Sequence, residues 1–206
     1  MKAFLSFLLV AASVQAQYKA EPAGAPPADI PAELSAVLQK DGHRVYDAAG
    51  KPALEVWFRS DLPKTSVKEE NATIDTVAHG TMLGVMKIVS NYPDRRGQTI
   101  KPGVYTLRYS LFPINGAHQG VEPQRDFLLM LKAENDKDPK STPDYKAVTE
   151  HSMKAIGAAH PGVLSIWKAE ASEPLGFAKE GETDWVLRTK IGDLPLAVII
   201  FGQSAH

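Results

Sequence analysis

Alternation of apolar and polar residues dominates the chain from His43 onward. Val45 and Tyr46 lead into the turn signal Asp47-Ala48-Ala49-Gly50, after which Leu54, Val56 and Phe58 alternate with Glu55, Trp57 and Arg59, so a β-hairpin is predicted. Thr81 to Val89 is apolar on both faces apart from Lys87, the pattern of a central strand, and Gly84 within it marks a bulge or a close approach. The clearest alternation runs from Val104 to Leu111, with Tyr105, Leu107, Tyr109 and Leu111 on one face and Thr106, Arg108 and Ser110 on the other. Its preceding turn is Lys101-Pro102-Gly103. Further strands are predicted at Arg125 to Leu131, Val163 to Trp167, Trp185 to Ile191 and Leu194 to Phe201, the last two joined through Gly192-Asp193 as a terminal hairpin.

Two stretches have helical spacing instead. Asp29 is placed to cap a helix over Ile30 to Leu38, with Leu34, Val37 and Leu38 on one face and Asp41-Gly42 beyond its end. Thr142 and Pro143 open a second, whose apolar stripe is Tyr145, Val148, Ser152 and Ile156 and whose stop signal is Gly157. Many short strands separated by Gly, Pro, Asn and Asp clusters, with one or two short helices, predict a mainly β protein: an antiparallel β-sandwich of jelly-roll or Ig-like type.

The first residues follow a different rule. Met1-Lys2 precedes an uncharged apolar run from Ala3 to Ala12, and Val14-Gln15-Ala16 presents small residues where signal peptidase cleaves. The run is well short of the about 20 apolar residues that a spanning helix needs. Residues 1–16 therefore read as a signal peptide, cleaved after Ala16, and the product as secreted or periplasmic without membrane insertion. Residues 17–29, rich in Ala, Pro and Gly, read as a flexible leader, and residues 30–206 as a single sandwich domain.

Composition removes several classes. The chain has no cysteine, hence no disulfide, lipid-modified cysteine, thiol nucleophile or iron–sulfur ligand; about 190 mature residues are long enough to fold without such staples. Basic and acidic residues nearly balance, 23 against 24, with no clustered basic stripe, which argues against a nucleic-acid partner. No nucleophile elbow, zinc-protease helix, phosphate loop or dinucleotide fingerprint occurs.

Candidate chemistry rests on residues that the fold must bring together. The polar run from Pro113 to Asp126, between the two best strands, offers His118, Glu122, Arg125 and Asp126 as ligand-binding residues; the alternative is a long hairpin connection. His79, His118 and His160 all lie near strand ends, and their convergence at one rim would make a Zn²⁺ or Cu²⁺ site; otherwise they are solvated or hydrogen-bonded. Tyr105, Tyr109, Trp57, Trp167 and Trp185 would stack on sugar rings if exposed in a row, or pack in the core. Arg95 and Arg96, in Tyr92-Pro93-Asp94-Arg95-Arg96-Gly97-Gln98, have the chemistry to hold a carboxylate or phosphate, or form a charged turn. Glu122 and Asp126 would serve a glycosidase only at a defined separation.

The segment Ile100-Lys101-Pro102-Gly103-Val104-Tyr105-Thr106-Leu107 resembles the "I-x-P-G-x-Y-x-L" hairpin of secreted β-sandwich modules such as carboxypeptidase-regulatory-like domains. With Arg125 to Leu129 it is also similar to exported bacterial β-sandwich proteins of no assigned activity. The resemblance implies structure and no catalytic residue. The expectation is a non-catalytic module that binds a small molecule, a glycan or an envelope protein; the rival is a metal-binding protein or metal-dependent enzyme.

Overall fold

The computed structural model describes residues 17–65, 71–112 and 125–204. The predicted signal peptide, His118 and Glu122 lie outside the described residues. Among the described residues, no helix is long and apolar enough to cross a membrane.

Twelve strands follow one another as β1 Lys19–Gly24, β2 Gly42–Tyr46, β3 Pro52–Phe58, β4 Met82–Ile88, β5 Tyr92–Pro93, β6 Thr99–Ile100, β7 Gly103–Leu111, β8 Asp126–Lys132, β9 Val163–Lys168, β10 Gly176–Glu180, β11 Asp184–Ile191 and β12 Leu194–Phe201. The helices are α1 Ala32–Ser35 and α2 Tyr145–Ile156. Ten strands form one sheet in the order β1-β2-β3-β4-β7-β8-β9-β12-β11-β10, every neighbouring pair antiparallel. β5 and β6 pair only with each other.

The mainly β, antiparallel character predicted from alternation is present, and the ten strands are linked in one sheet. One sheet curls into a nearly closed barrel. Side chains from all ten strands meet in a single core, from Ala20 and Val45 at one end of the strand order to Leu187 and Phe177 at the other. Alternation reports that one face is buried; it is silent on whether the facing layer is another sheet or the same sheet curled round.

The inward set predicted for β7 is correct, since Tyr105, Leu107, Tyr109 and Leu111 all join this core. Gly84 is at a register shift between β4 and β7, and a Cβ there would lie 2.6 Å from the Trp57 carbonyl oxygen. The close backbone approach is therefore real. α2 is capped by Asp144, which accepts from the Ala147 amide at 2.8 Å, two residues past the predicted cap Thr142, and it ends at Gly157 with φ 72°.

Two expectations fail at the N-terminal side. Residues 17–29 are not all leader: Lys19–Gly24 pairs with β2, and the indole Nε1 of Trp57 donates to the Gly24 carbonyl at 2.7 Å. β2 would otherwise be a bare edge, and an Ala- and Pro-containing segment can fill an edge position, where a missing amide donor is tolerated. α1 covers only Ala32–Ser35 and starts after Pro31, while Asp29 ion-pairs with Lys87 at 2.6 Å instead of capping. α1 and Leu38 cover Trp57, Met82 and Val85 on the outer face; α2 covers Phe127, Leu129 and Val163.

Candidate functional site

Both ends of the barrel are plugged. At the upper end, where β7 stops and β8 starts, the connection before β4 inserts Ile74 and Val77 into the core. Asp126 clasps it: its buried carboxylate accepts from the amides of Thr73 at 2.9 Å and Ile74 at 3.0 Å and from the Tyr109 hydroxyl at 2.8 Å. Asp126, expected to bind a ligand, is placed with three internal donors and no exposed surface, the setting of a structural carboxylate. Arg125 turns its Nε to the Phe112 carbonyl at 2.6 Å.

The lower end is plugged by the β5–β6 hairpin, which buries Tyr92 and Ile100. The Tyr92 hydroxyl donates to the Ile200 carbonyl, and burial pushes its pKa upward. Asp94 forms the turn by accepting from the amides of Arg96 at 3.0 Å and Gln98 at 2.9 Å. Arg95 grips the Asp184 carboxylate at 2.9 Å and Arg96 the Pro161 carbonyl at 2.5 Å. The arginine pair does hold a carboxylate, but it belongs to this chain.

His79 and His160 do not converge. His79 bonds the Ser110 hydroxyl at 2.9 Å and lies beside the Tyr145 ring, at the start of α2, whereas His160 follows the end of that helix. Twelve helical residues separate those two points, about 18 Å at the usual rise. Among the described residues no group of three or more His, Asp or Glu is placed to hold a metal ion. The aromatic row is not assembled either: Tyr105 and Tyr109 point inward, and Trp57 is buried on the outer face.

The most saturated polar group is Arg108. Wholly buried, it donates to Asp136 at 2.7 and 2.6 Å, to the carbonyls of Gly80 at 2.7 Å, Ser141 at 2.6 Å and Asp138 at 2.9 Å, and to the Ser141 hydroxyl at 3.0 Å. Thr106 also donates to Asp136. Arg59 fastens the same loop through the Pro139 carbonyl at 2.9 Å; burial, with the Arg108 charge adding to it and Asp61 opposing, lowers its pKa.

Polar side chains that line open space stand at the seam. β1 and β10 are the two edges of the sheet and face each other without pairing. At the lower end Tyr18 closes the gap by packing on Phe201, ring centroids 4.4 Å apart, and on Trp185 at 5.3 Å. At the upper end the edges part around an open groove of about 750 Å³. Its lining comes from β1 (Ala20, Pro22), β2 (His43), β10 (Phe177) and β11 (Leu187, Thr189), with Leu175, 57% exposed, at the rim. Gln39 bridges the upper rim, its amide donating to the carbonyls of Arg59 at 2.9 Å and Lys190 at 2.6 Å.

Register shows which way these residues point. His43 is opposite Val56 and Thr189 opposite Leu196, both in the core, so His43 and Thr189 face inward. Burial lowers the His43 pKa, and the ring is neutral at neutral pH. None of the groove residues was a candidate from sequence. The usable signal was alternation: His43 is two before inward Val45, and Thr189 stands between inward Leu187 and Ile191.

No family model matches the chain, and comparison with curated proteins and with solved structures finds no match.

Proposed function

We propose that this chain is an exported, non-catalytic binding module of the cell envelope whose ligand occupies the groove at the barrel seam. Export rests on the n-region, apolar run and cleavage triplet at residues 1–16. The single observation that carries the binding reading is the groove: about 750 Å³, apolar over most of its wall, with a few inward polar groups, within the size range of small-molecule sites. The site moves from the loop around His118 to the seam because Asp126 is enclosed and fully bonded. Non-catalytic describes the groove's chemistry, since no carboxylate stands on its inward face and, among the described residues, no hydrogen bond joins His43 to Thr189.

The neutral fluorophore N-phenyl-1-naphthylamine tests this directly. Saturable one-to-one binding is expected, weakened about fivefold by Leu175→Asp, which places a charge at the rim of an apolar site. Absence of saturable binding, or binding indifferent to Leu175→Asp, overturns the reading.

A further inference from the structure

Resting on the groove as the binding site, we propose that it takes an uncharged molecule with a mostly apolar body and one hydroxyl- or carbonyl-type group, held by Thr189 and His43. The argument begins with Thr189. It is 5% exposed and faces the groove, yet no other group among the described residues hydrogen-bonds its hydroxyl. With no partner in the protein, a hydroxyl that opens into the groove is met by water when the groove is empty and is available to a ligand's polar atom. His43 shares that wall and likewise has no hydrogen-bond partner among the described residues. A neutral imidazole supplies one donor and one acceptor, which with a hydroxyl suits an alcohol or a carbonyl.

Charge decides against an ionic ligand. The inward wall of Ala20, Pro22, Phe177, Leu187, His43 and Thr189 carries no formal charge when His43 is neutral. The charged residues of the groove, Glu21, Asp41 and Lys190, are exposed, and alternation places Glu21 and Lys190 on the outer face of their strands. Glu21 is further engaged by Lys19 at 2.8 Å. A carboxylate or ammonium drawn against that wall would lose its hydration without a compensating partner. A wholly apolar molecule would leave Thr189 and His43 desolvated and unbonded.

The test is displacement of N-phenyl-1-naphthylamine from the purified chain at pH 8 by 1-dodecanol and by dodecanoate, below their aggregation limits. The alcohol is expected to displace the fluorophore at a concentration about tenfold lower than the carboxylate, as one uncompensated desolvation requires. Thr189→Val should weaken the alcohol about fivefold, and Thr189→Ser should restore it, as one lost hydrogen bond predicts. Equal or better displacement by dodecanoate overturns the proposal, and so does an alcohol affinity unchanged in Thr189→Val. Both outcomes require a bound fluorophore, so they differ from loss of fluorophore binding itself, which removes the groove reading on which the proposal rests. The comparison of alcohol with carboxylate uses the unaltered chain and holds even if the Val variant fails to fold.

Discussion

The wall formed by β4, β7 and β8 and the seam between β1 and β10 belong to one sheet and follow opposite rules. In the wall, each strand has a partner on both sides, and the outward residues Thr106, Arg108 and Ser110 are as buried as the inward ones because α2 and the 133–145 segment cover them. Every polar group named there is paired, and Arg108 is surrounded by acceptors. At the seam, neither edge is paired across the gap, a groove separates the upper halves, and Thr189 and His43 have no hydrogen-bond partner among the described residues. Charge and burial alone would nominate the wall, with its buried arginine, as the chemical centre. Satisfaction of hydrogen bonds nominates the seam instead, since a fully bonded group is structure and an unbonded one is available to a partner.

The largest effect should come from breaking the wall. Asp136→Ala leaves the buried Arg108 guanidinium with neutral acceptors only, and is expected to cost about 4 kcal/mol in urea-induced unfolding. A loss below about 1 kcal/mol would mean that the carbonyls suffice and that the ion pair does not set the wall's stability. Next is the upper plug. Asp126→Ala orphans the amides of Thr73 and Ile74 and leaves the Tyr109 hydroxyl with the longer bond to the Ile74 carbonyl at 3.2 Å, and about 3 kcal/mol is expected, with faster amide exchange at Thr73 and Ile74. Unchanged exchange there would show that the plug holds by Ile74 and Val77 packing alone.

The contrast between wall and seam also separates what was legible in the sequence from what was not. β7 was legible because its period-two pattern is long and its turn is marked by Pro102-Gly103. Gly84 could be read as a close approach for the same reason: a glycine has no other use in a strand so apolar. The burial of Arg108 was not legible, because nothing local announces that residues 133–141 fold back over it. β10, Gly176–Glu180, has almost no apolar residue besides Phe177, since an edge strand needs to bury only one face and this one buries little. The groove is joined from residues near positions 20, 43, 177 and 189, and no spacing rule connects segments that far apart.

A smaller change at the seam sharpens the comparison. Tyr18→Ala removes the ring that packs on Phe201 and Trp185 at the closed end, and about 1 kcal/mol of stability should go with it. Its distinctive result is local: amide exchange should quicken in β1 while β7 and β8 keep their protection. If all three respond together, the seam is no weaker than the wall, and the two are a single cooperative unit.

The smallest expected effect is a pH dependence located at His43. Burial depresses its folded-state pKa below the ordinary 6.5, so the unfolded chain takes up the proton first as pH falls. The sign follows: above about 6.5 neither state holds the proton and His43 contributes no slope; below it the unfolded state binds more protons, and stability declines until the folded pKa is also passed. The charges near enough to modify this, Glu21, Asp41 and Lys190, are exposed at the rim and largely screened. Urea unfolding of the unaltered chain and of His43→Gln at pH 8, 7, 6 and 5.5 isolates the term, because all other titrating groups are common to both. The variant should show the shallower acid decline, and the two curves should run parallel above pH 7. Parallel curves across the whole range would mean that water reaches His43 as freely as in the unfolded chain, and the upper half of the seam would then be open surface, with no sheltered wall for a ligand's polar group.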